Sequence, residues 1–203
     1  MILGVPTIRR YDLLGRLIAS VLAGSRVPDA ILIVDNGGNY ESKENCVRVI
    51  YRGPNLGVAA SWNRLLQAGA WIISNDDIVF ARHTFEELAN ALESGQVIVN
   101  ELGWALFGQR PEVAEKIGFY DERFFPAYYE DADYHARLLQ AGIPTHAPVL
   151  SEPVEHVQWA SAESTEAVNA ICNQNFQRFV DKWGGPPEEI LARLTKPNAD
   201  NDE

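Results

Sequence analysis

The sequence predicts an α/β fold: a Rossmann-like, mostly parallel central sheet flanked by helices, with a helical C-terminal end. Through the first 80 residues, short apolar runs alternate with longer segments whose apolar residues recur at helical spacing. Such alternation implies parallel strands joined by right-handed crossovers. The chain has 203 residues, 46% of them hydrophobic, which is enough for one sizeable core. We therefore expect a single domain over residues 1–195, followed by a polar tail over 196–203.

The first half of the chain contains four predicted strands and two predicted helices. The strands are ILGVP (2–6), AILIVD (30–35), VRVIY (47–51) and WIIS (71–74), and the helices cover 11–24 and 58–70. A glycine ends the first helix, as is common at helix C-termini. The regular order of these elements predicts the parallel part of the sheet.

The second half departs from this alternation. After a predicted helix over 84–95, the segments VIVN and GWALFG are predicted as strands outside the regular order, and a short helix follows Pro111. A further helix over 131–141 has acidic residues in its first turn and a glycine just past its end. From Thr165 onward the pattern is helical, and Trp183 with the two glycines after it is expected to close the last long helix.

The composition argues against several classes of function. A net charge of −11 disfavours a nucleic-acid partner, because phosphate contacts need clustered Lys and Arg. No apolar run approaches the ~18–20 residues that span a bilayer, and the N-terminus lacks a signal-peptide pattern. The two cysteines lie far apart and form no CxxC pair, which is typical of reduced thiols. We expect a cytoplasmic protein without a membrane span.

Polar residues follow three of the predicted strands at the point where each strand ends. Pro6 and Thr7 end the first strand, Asp35 ends the second, and Asp76 and Asp77 follow the fourth. Ligands of open parallel sheets bind outside the carboxyl ends of the strands, so these side chains should share one edge. A hard cation that bridges the carboxylates and a diphosphate would offset the repulsion between two adjacent acids. The alternative is that the polar stretch after the fourth strand simply forms a turn.

Further motifs along the chain match those of one known family. In chain order they are VPTIRR (5–10), VDNGG (34–38), NLGVAASWN (55–63), ISNDD (73–77), GFYDERFFPAYYEDADYHARLLQAG (118–142), VEHVQW (154–159) and NFQRFVDKWGG (175–185). On these motifs the chain resembles the family 2 glycosyltransferases across nearly its whole length. Each motif alone is a weak signal, but their shared order and spacing make the resemblance specific.

The resemblance implies a GT-A fold and inverting transfer of a sugar from a nucleotide-sugar donor, assisted by a divalent metal, Mn²⁺ or Mg²⁺. It makes Asp77 the metal ligand of the aspartate motif and places Asp76 beside the ribose or a metal-bound water. His156 would supply another metal ligand or a diphosphate contact, and an imidazole suits Mn²⁺ better than Mg²⁺. The alternative for His156 is a histidine at a strand edge. The chain departs from the family's DxD pattern because Asn75 replaces the first acid.

The resemblance also assigns residues 1–80 to nucleotide binding and 81–195 to the acceptor and catalysis. The implied nucleotide-binding residues are Pro6, Thr7, Arg9, Asp35, Asn55, Gly57, Asn63, Asn75 and Asp76. Asp35 would hold the base or ribose, since a carboxylate accepts two donors at once; the alternative is that it caps the turn before two glycines. Gly57 would let the backbone approach the ligand closely. For Arg9 the alternative is a solvated arginine.

Asp131 is the candidate catalytic base in this resemblance, with Glu130 orienting backbone or substrate beside it. A single displacement at the anomeric carbon needs one carboxylate to take the proton of the acceptor hydroxyl. The alternative for Asp131 is an N-cap of the following helix, and both roles are compatible. Asp133 is expected in the first turn of that helix, with Arg137 as its i,i+4 partner.

The implied partners are a nucleotide-sugar donor, with a UDP-sugar favoured, and a hydroxyl acceptor on a glycan, lipid, protein or small molecule. A homo-oligomer is possible. Two other functions remain open: a nucleotide-sugar-binding protein without turnover, and another Mg²⁺-binding α/β enzyme. A dinucleotide-dependent enzyme is disfavoured because no G-x-G-x-x-G follows the first strand.

Overall fold

The computed structural model describes residues 1–157 and 165–195, so the predicted polar tail over 196–203 lies outside the described residues. The strands are β1 (Ile2–Thr7), β2 (Ala30–Asp35), β3 (Val47–Arg52), β4 (Ile72–Ser74), β5 (Ile78–Val79), β6 (Val97–Asn100), β7 (Gly103–Gln109), β8 (Thr145–His146) and β9 (Glu155–His156). The helices are α1 (Tyr11–Leu22), α2 (Val58–Gln67), α3 (Thr84–Ser94), α4 (Pro111–Ile117), α5 (Glu130–Gln140), α6 (Thr165–Trp183) and α7 (Pro187–Thr195).

A seven-stranded sheet in the order β3-β2-β1-β4-β7-β6-β8 forms the centre of the molecule. The first four strands in that order run parallel, so the predicted mostly parallel α/β sheet is confirmed. β7 pairs antiparallel with both β4 and β6, and β8 is parallel to β6. Each half of the chain therefore contributes strands to one sheet, while the boundary at residue 80 between two functional halves stays a prediction.

The sheet is covered on both faces, which explains why its inner strands are apolar along their whole length. All six residues of β2 are buried. One face packs against α1 and α3 through Leu14, Leu17 and Leu88, and the other packs against α2 and α5 through Leu65 and Leu138. Fully covered parallel sheets have continuous apolar strands, whereas half-exposed sheets have alternating ones.

The predicted helices and longer strands are confirmed to within three residues at their ends. The differences lie at helix C-termini, where α1 stops at Leu22 and α2 at Gln67, ahead of the glycines that the sequence pattern suggested as boundaries. The structure also contains β5, β8 and β9, which were not predicted. Each has only two residues. Two residues carry no periodic pattern, so only their tertiary partners define these strands.

The C-terminal helices are attached to α5 by a small cluster and one buried acid. The cluster consists of Phe124, Ala136, Phe179 and Ile190. Asp133 is fully buried, and its Oδ1 accepts a 2.8 Å hydrogen bond from Nε1 of Trp183. The predicted helical C-terminal end is thereby joined to the sheet domain, and α6 ends at Trp183 as expected.

Two cations complete the surroundings of Asp133. Nζ of Lys182 lies 2.6 Å from Oδ1, and Nε of Arg137 lies 3.1 Å from Oδ2. The predicted i,i+4 pair with Arg137 is confirmed. A buried carboxylate is tolerated when its lone pairs are used in this way.

The part of the chain that the structure describes contains no helix with the length and apolar character needed to cross a membrane.

Replacing Asp133 with Ala should lower the free energy of unfolding by about 2–4 kcal/mol, because it removes the buried acceptor that Trp183, Lys182 and Arg137 share. Urea unfolding monitored by tryptophan fluorescence measures this change. The matched control is Asp181→Ala on α6, whose exposed carboxylate accepts a bond from Gln177 one turn away. That control should stay within about 0.5 kcal/mol of the parent. Equal losses in both variants would contradict a structural role for Asp133.

Candidate active site

The strand ends that were predicted to share one edge of the sheet are joined by a direct hydrogen bond. Thr7 ends β1, and its Oγ1 donates a 2.6 Å bond to Oδ2 of Asp76, which follows β4. The two strands are adjacent and parallel, so their carboxyl ends lie at the same edge. Asn75 is held there by its backbone N–H, which donates 2.8 Å to the carbonyl of Ala105 on β7. Asp76 is therefore held at this edge by its own bond to Thr7 of β1 and by the bond of the preceding residue to β7.

Asp76 lies in an environment that disfavours its charge. Burial raises its pKa to about 6, the neighbouring Asp77 raises it too, and the hydroxyl of Thr7 lowers it in part. Arg10, at the start of α1, also lowers the pKa of this carboxyl. A buried acid whose pKa lies so far above its ordinary value marks a candidate functional position.

Asp77 is paired with His156 by the small two-stranded sheet. β5 and β9 run antiparallel with Ile78 opposite His156, and the N–H of Val157 donates 2.9 Å to the carbonyl of Asp77. This register brings Nε2 of His156 to 3.3 Å from Oδ1 of Asp77. The two predicted metal-site residues are thus neighbours although 79 positions separate them in the chain.

The surroundings of Asp77 fit a shared divalent cation better than a closed metal cage. Oδ1 of Asp77 is buried, and no donor of the described residues makes a well-formed hydrogen bond to it. Burial raises the pKa of Asp77, while His156 and Arg10 lower it. Within residues 1–157 and 165–195, no three His, Cys, Asp or Glu side chains form a group that could hold a metal alone. A cation at this pair would therefore take further oxygen ligands from a bound diphosphate, as Mg²⁺ and Mn²⁺ commonly do.

A cleft of about 200 Å³ lies beside this edge. Its floor consists of strand-end residues, namely Pro6, Thr7, Ile8, Asn36, Asn75 and Asp76. One wall is the loop before α2 with the first turns of that helix, which contribute Asn55, Gly57, Val58 and Ser61. The other wall is residues 126–128 with Val168 and Ile171 of α6. Of the nine predicted nucleotide-binding residues, six line this cleft: Pro6, Thr7, Asn55, Gly57, Asn75 and Asp76.

Asn36 and Ser61 line the cleft and were not predicted. Nδ2 of Asn36 donates 3.0 Å to Oγ of Ser61, and Oδ1 of Asn36 accepts a 2.8 Å bond from the N–H of Leu56. Oγ of Ser61 donates 2.6 Å to the carbonyl of Gly57. These bonds tie the end of β2 to the start of α2. The VDNGG motif contains Asn36 directly after Asp35, so the motif could have indicated Asn36 as well.

Asp35 lies one residue before Asn36 but does not line the cleft. It is fully buried, and its Oδ1 accepts bonds from the hydroxyl of Tyr11 (3.0 Å) and the N–H of Gly37 (2.9 Å). Its Oδ2 accepts a 2.7 Å bond from the N–H of Tyr40. Although burial opposes it, these donors lower the pKa of Asp35. In this structure Asp35 shapes the turn after β2, which is the alternative left open above, while contact with a nucleotide stays a prediction.

Arg9 and Asn63 are likewise outside the cleft. Arg9 is exposed in the left-handed region, with φ of 59°. Nδ2 of the buried Asn63 donates 2.9 Å to the carbonyl of Tyr120 and 2.9 Å to Oε1 of Glu122, and its Oδ1 accepts from the N–H of Tyr120. Asn63 thus holds α2 to the loop before α5. Neither residue lines the cleft, and contact of either with a nucleotide stays a prediction.

Gly57 is required by its conformation and by a close approach. Its φ is +81°, a value that favours glycine, and an added Cβ would lie 2.9 Å from Cδ2 of Phe125 and 2.9 Å from the carbonyl oxygen of Pro126. The close approach is therefore to residues 125–126 across the cleft, in addition to any approach to a ligand. Asn55 caps the same turn, because its Oδ1 accepts a 2.9 Å bond from the N–H of Gly57.

Glu130 begins α5 and is almost completely buried, with 5% of its surface exposed. Its Oε2 has no hydrogen-bond donor among the described residues. Burial, together with the adjacent Asp131, raises the pKa of Glu130 to about 8. At neutral pH this carboxyl is therefore protonated and neutral for the most part.

Asp131 lies in the first turn of α5. The interpretation of Asp131 as the N-cap is wrong, because the helix begins one residue earlier than expected and Tyr129 occupies the N-cap position. Oδ1 of Asp131 instead accepts a 2.8 Å bond from the N–H of Ala132. Burial raises the pKa of Asp131, and this N–H and His135 lower it. A carboxylate with a raised pKa is a stronger base than an exposed aspartate.

Comparisons with known proteins point to one family. The model of Glycosyl transferase family 2 matches residues 3–147. A comparison with curated proteins finds no significant match.

Solved structures of several glycosyltransferases share the fold. A mannosyltransferase from Pyrobaculum calidifontis, in complex with GDP-Man and Mn²⁺, has a TM-score of 0.66 at 13% identity, with 95% of this chain and 68% of that chain covered. TarS (residues 1–349) from S. aureus has a TM-score of 0.59 at 12% identity, with 95% and 69% covered. The catalytic domain of Drosophila β1,4-galactosyltransferase 7, in complex with xylobiose, has a TM-score of 0.56 at 15% identity, with 81% and 74% covered. The predicted GT-A fold is confirmed.

The raised pKa of Glu130 predicts a pH dependence of stability. The ordinary pKa of 4.5 applies to the unfolded chain and about 8 to the folded one, so between these values the folded state binds more protons. The free energy of unfolding should therefore fall as pH rises from 5 to 8. The variant Glu130→Gln lacks this titrating carboxyl. It should be more stable than the parent at pH 8 by on the order of 2–4 kcal/mol, with little difference at pH 4.5.

Urea unfolding at pH 4.5, 6 and 8 measures this dependence. The matched control is Glu115→Gln on α4, an exposed position where the substitution should shift all three values equally. A Glu130→Gln variant whose stability follows the parent across the three pH values would show that the folded Glu130 titrates as an ordinary acid.

Proposed function

Since this chain belongs to glycosyl transferase family 2 and is a glycosyltransferase, we propose that it is an inverting, metal-assisted enzyme. It moves a sugar from a nucleoside-diphosphate sugar to a hydroxyl of its acceptor, with Asp131 as general base. The observation that supports this most directly is the edge where Asp76, Asp77 and His156 gather beside the cleft. Both acids lie there with raised pKa, so a ligand that brings positive charge would relieve them.

Asp77 and His156 are the proposed protein ligands of the cation. Both point to one small volume, and the buried Oδ1 of Asp77 is available as a ligand. The cation, Mn²⁺ or Mg²⁺, would supply Lewis-acid stabilisation of the leaving nucleoside diphosphate. The mixed oxygen and imidazole donor set favours Mn²⁺, the ion present in the Pyrobaculum structure.

The nucleotide is proposed to occupy the cleft. Asn55 offers its amide N–H₂ group to base or ribose, while the bonded pair Asn36 and Ser61 fixes the shape of the cleft, and Asp76 lies at the end nearest the cation site. Asp35 contributes indirectly by fixing the turn that carries Asn36. UDP is the favoured nucleotide, and GDP is the alternative because the Pyrobaculum mannosyltransferase binds GDP-Man.

Asp131 is proposed to take the proton of the acceptor hydroxyl as the new glycosidic bond forms. The acceptor oxygen attacks the anomeric carbon while the bond from that carbon to the diphosphate oxygen breaks, and the proton moves to the carboxylate of Asp131. Glu130 stays neutral beside it, so a single negative charge is concentrated on the base. Because the protonated Glu130 carries no charge, the repulsion between two adjacent carboxylates is also avoided.

A donor-binding protein without turnover is the second candidate, since the cleft and the Asp77–His156 pair would be equally useful to it. The buried acid pair at the start of α5 favours the enzyme. Holding the buried Glu130 beside the partly buried Asp131 raises the pKa of both and costs stability, and a protein that only binds a nucleotide has no need of this pair. Release of nucleoside diphosphate from a nucleotide sugar separates the two candidates.

Asp77→Ala should abolish Mn²⁺-dependent binding of UDP or GDP, because it removes the proposed cation ligand. Isothermal titration calorimetry with each nucleotide, with and without Mn²⁺, measures the loss. The matched variant is Asp76→Ala, which should weaken binding less. His156→Ala should also lower the affinity for Mn²⁺. If Asp77→Ala keeps full nucleotide binding and Asp76→Ala loses it, Asp76 and not Asp77 is the cation ligand.

Asp131→Asn should reduce sugar transfer by ~10²–10⁴-fold, the usual contribution of a positioned general base, and leave nucleotide affinity intact. Asparagine keeps an oxygen that can accept the N–H of Ala132 and carries no charge, so the free energy of unfolding at neutral pH should not fall. Turnover of UDP- and GDP-sugars and the anomeric configuration of the product are the measurements. Glu130→Gln should reduce transfer less. Near-normal turnover of Asp131→Asn, or a product with retained configuration, would exclude this mechanism.

A further inference from the structure

Three aromatic side chains remain exposed around residues 125–128 of the loop that precedes α5. Phe125 and Tyr128 lie on this loop and are 51% and 41% exposed. Phe176 on α6 is 37% exposed, and its ring centroid lies 5.8 Å from that of Tyr129. Large aromatic side chains seldom remain this exposed in a group unless they contact a ligand or partner.

The loop that carries these rings is rigidly held from both sides. The carbonyl of Pro126 accepts a 2.8 Å bond from the N–H of Val58 at the start of α2. From the other side, Nδ2 of the fully buried Asn175 donates 2.7 Å to the carbonyl of Ala127 and 3.3 Å to that of Phe125. The exposed rings are therefore presented on an ordered backbone, which lowers the entropy cost of binding.

The backbone of the same loop is strained. Tyr128 and Tyr129 have φ values of 77° and 72°, in the left-handed region that non-glycine residues seldom adopt. Backbone strain of this kind concentrates at ligand sites. The strain places Tyr128 in the wall of the cleft while Tyr129 packs against α6.

The loop also lies between the two halves of the proposed reaction. Residues 126–128 form one wall of the donor cleft, and Asp131 follows two positions after Tyr129. A molecule resting on the exposed rings would therefore lie beside the donor cleft, on the segment of the chain that leads directly into the helix of the proposed base.

We propose that Phe125, Tyr128 and Phe176 form the acceptor subsite and that the acceptor is a saccharide. This rests on the proposed function and selects one acceptor class among glycan, lipid, protein and small molecule. A pyranose ring has an apolar face of C–H groups that stacks on an aromatic ring and hydroxyls around its edge. An acceptor held in this way directs a hydroxyl towards Asp131 while its apolar face is removed from water.

Other occupants fit these observations less well. Three rings are too small an area for a stable protein interface, which buries about 1,200–2,000 Å². An anionic membrane surface attracts basic segments, whereas this chain has a net charge of −11.

The test uses saturation-transfer NMR on the full chain with the methyl glycosides of glucose, galactose, mannose, rhamnose and N-acetylglucosamine, each with and without UDP or GDP and Mn²⁺. At least one glycoside should bind through the C–H groups of one ring face. Phe176→Ala and Tyr128→Ala should each weaken that binding about five- to tenfold, and Phe176→Tyr should retain it. Val149→Ala, at an apolar residue that is 94% exposed elsewhere, should change nothing.

Calorimetric titration of the same variants with UDP or GDP and Mn²⁺ separates this proposal from the proposed function. Nucleotide binding without binding of any glycoside would overturn the saccharide subsite and leave the donor site standing. Glycoside binding that Phe176→Ala and Tyr128→Ala leave unchanged would also overturn it. Binding to vesicles of phosphatidylcholine and phosphatidylglycerol that depends on Phe176, with no glycoside bound, would replace the saccharide by a lipid surface. Loss of metal-dependent nucleotide binding in the parent chain would instead contradict the proposed function.

Discussion

The buried carboxylate of Asp133 holds together the parts of the molecule that enclose the cleft. It accepts hydrogen bonds or ion pairs from Arg137 on its own helix and from Lys182 and Trp183 at the end of α6. Because α6 also carries one wall of the cleft and the side chain that clamps the 125–127 backbone, this one acid fixes the helix on which both depend. Removing a buried carboxylate that three donors share costs the hydrogen bonds of all three at once.

The buried and partly buried acids of this chain differ in whether their buried oxygens have hydrogen-bond donors. Asp35 and Asp133 have donors for both oxygens, and each organises a turn or a helix contact. Asp77 and Glu130 each retain a buried oxygen without a well-formed bond, and burial raises the pKa of both. Natural folds satisfy their buried polar groups almost everywhere, so unsatisfied acids indicate places where a ligand or a reaction is expected.

The sequence predicted most of the fold because the central strands are covered on both faces and the helices are amphipathic, so periodicity alone carries the information. It also predicted the strand-end acids, whose place follows from the topology of a parallel sheet. It left open whether Asp35 is used internally, because that depends in part on Tyr11, which lies 24 positions away in the chain. Nor could it show the pairing of β5 with β9, since two-residue strands have no pattern; that pairing brings His156 to Asp77. The start of α5 was missed by one residue because the strained backbone of Tyr129 provides no side-chain cap.

The replacement of the first motif acid by Asn75 has a physical consequence for the proposed site. Two adjacent acids at this edge already have raised pKa values, and a third carboxylate would add repulsion that only Thr7, Arg10 and His156 oppose. Asn75 keeps a polar side chain in the cleft without that charge. Since no three metal-ligating side chains of the described residues converge, a cation held here needs oxygens from the donor's diphosphate. On the proposed function, cation and donor therefore stabilise each other's binding by the same free energy, as linkage requires. With Glu130 kept neutral, the one negative charge at the start of α5 lies on the carboxylate of Asp131, and it is neutralised when that carboxylate takes the proton of the acceptor hydroxyl.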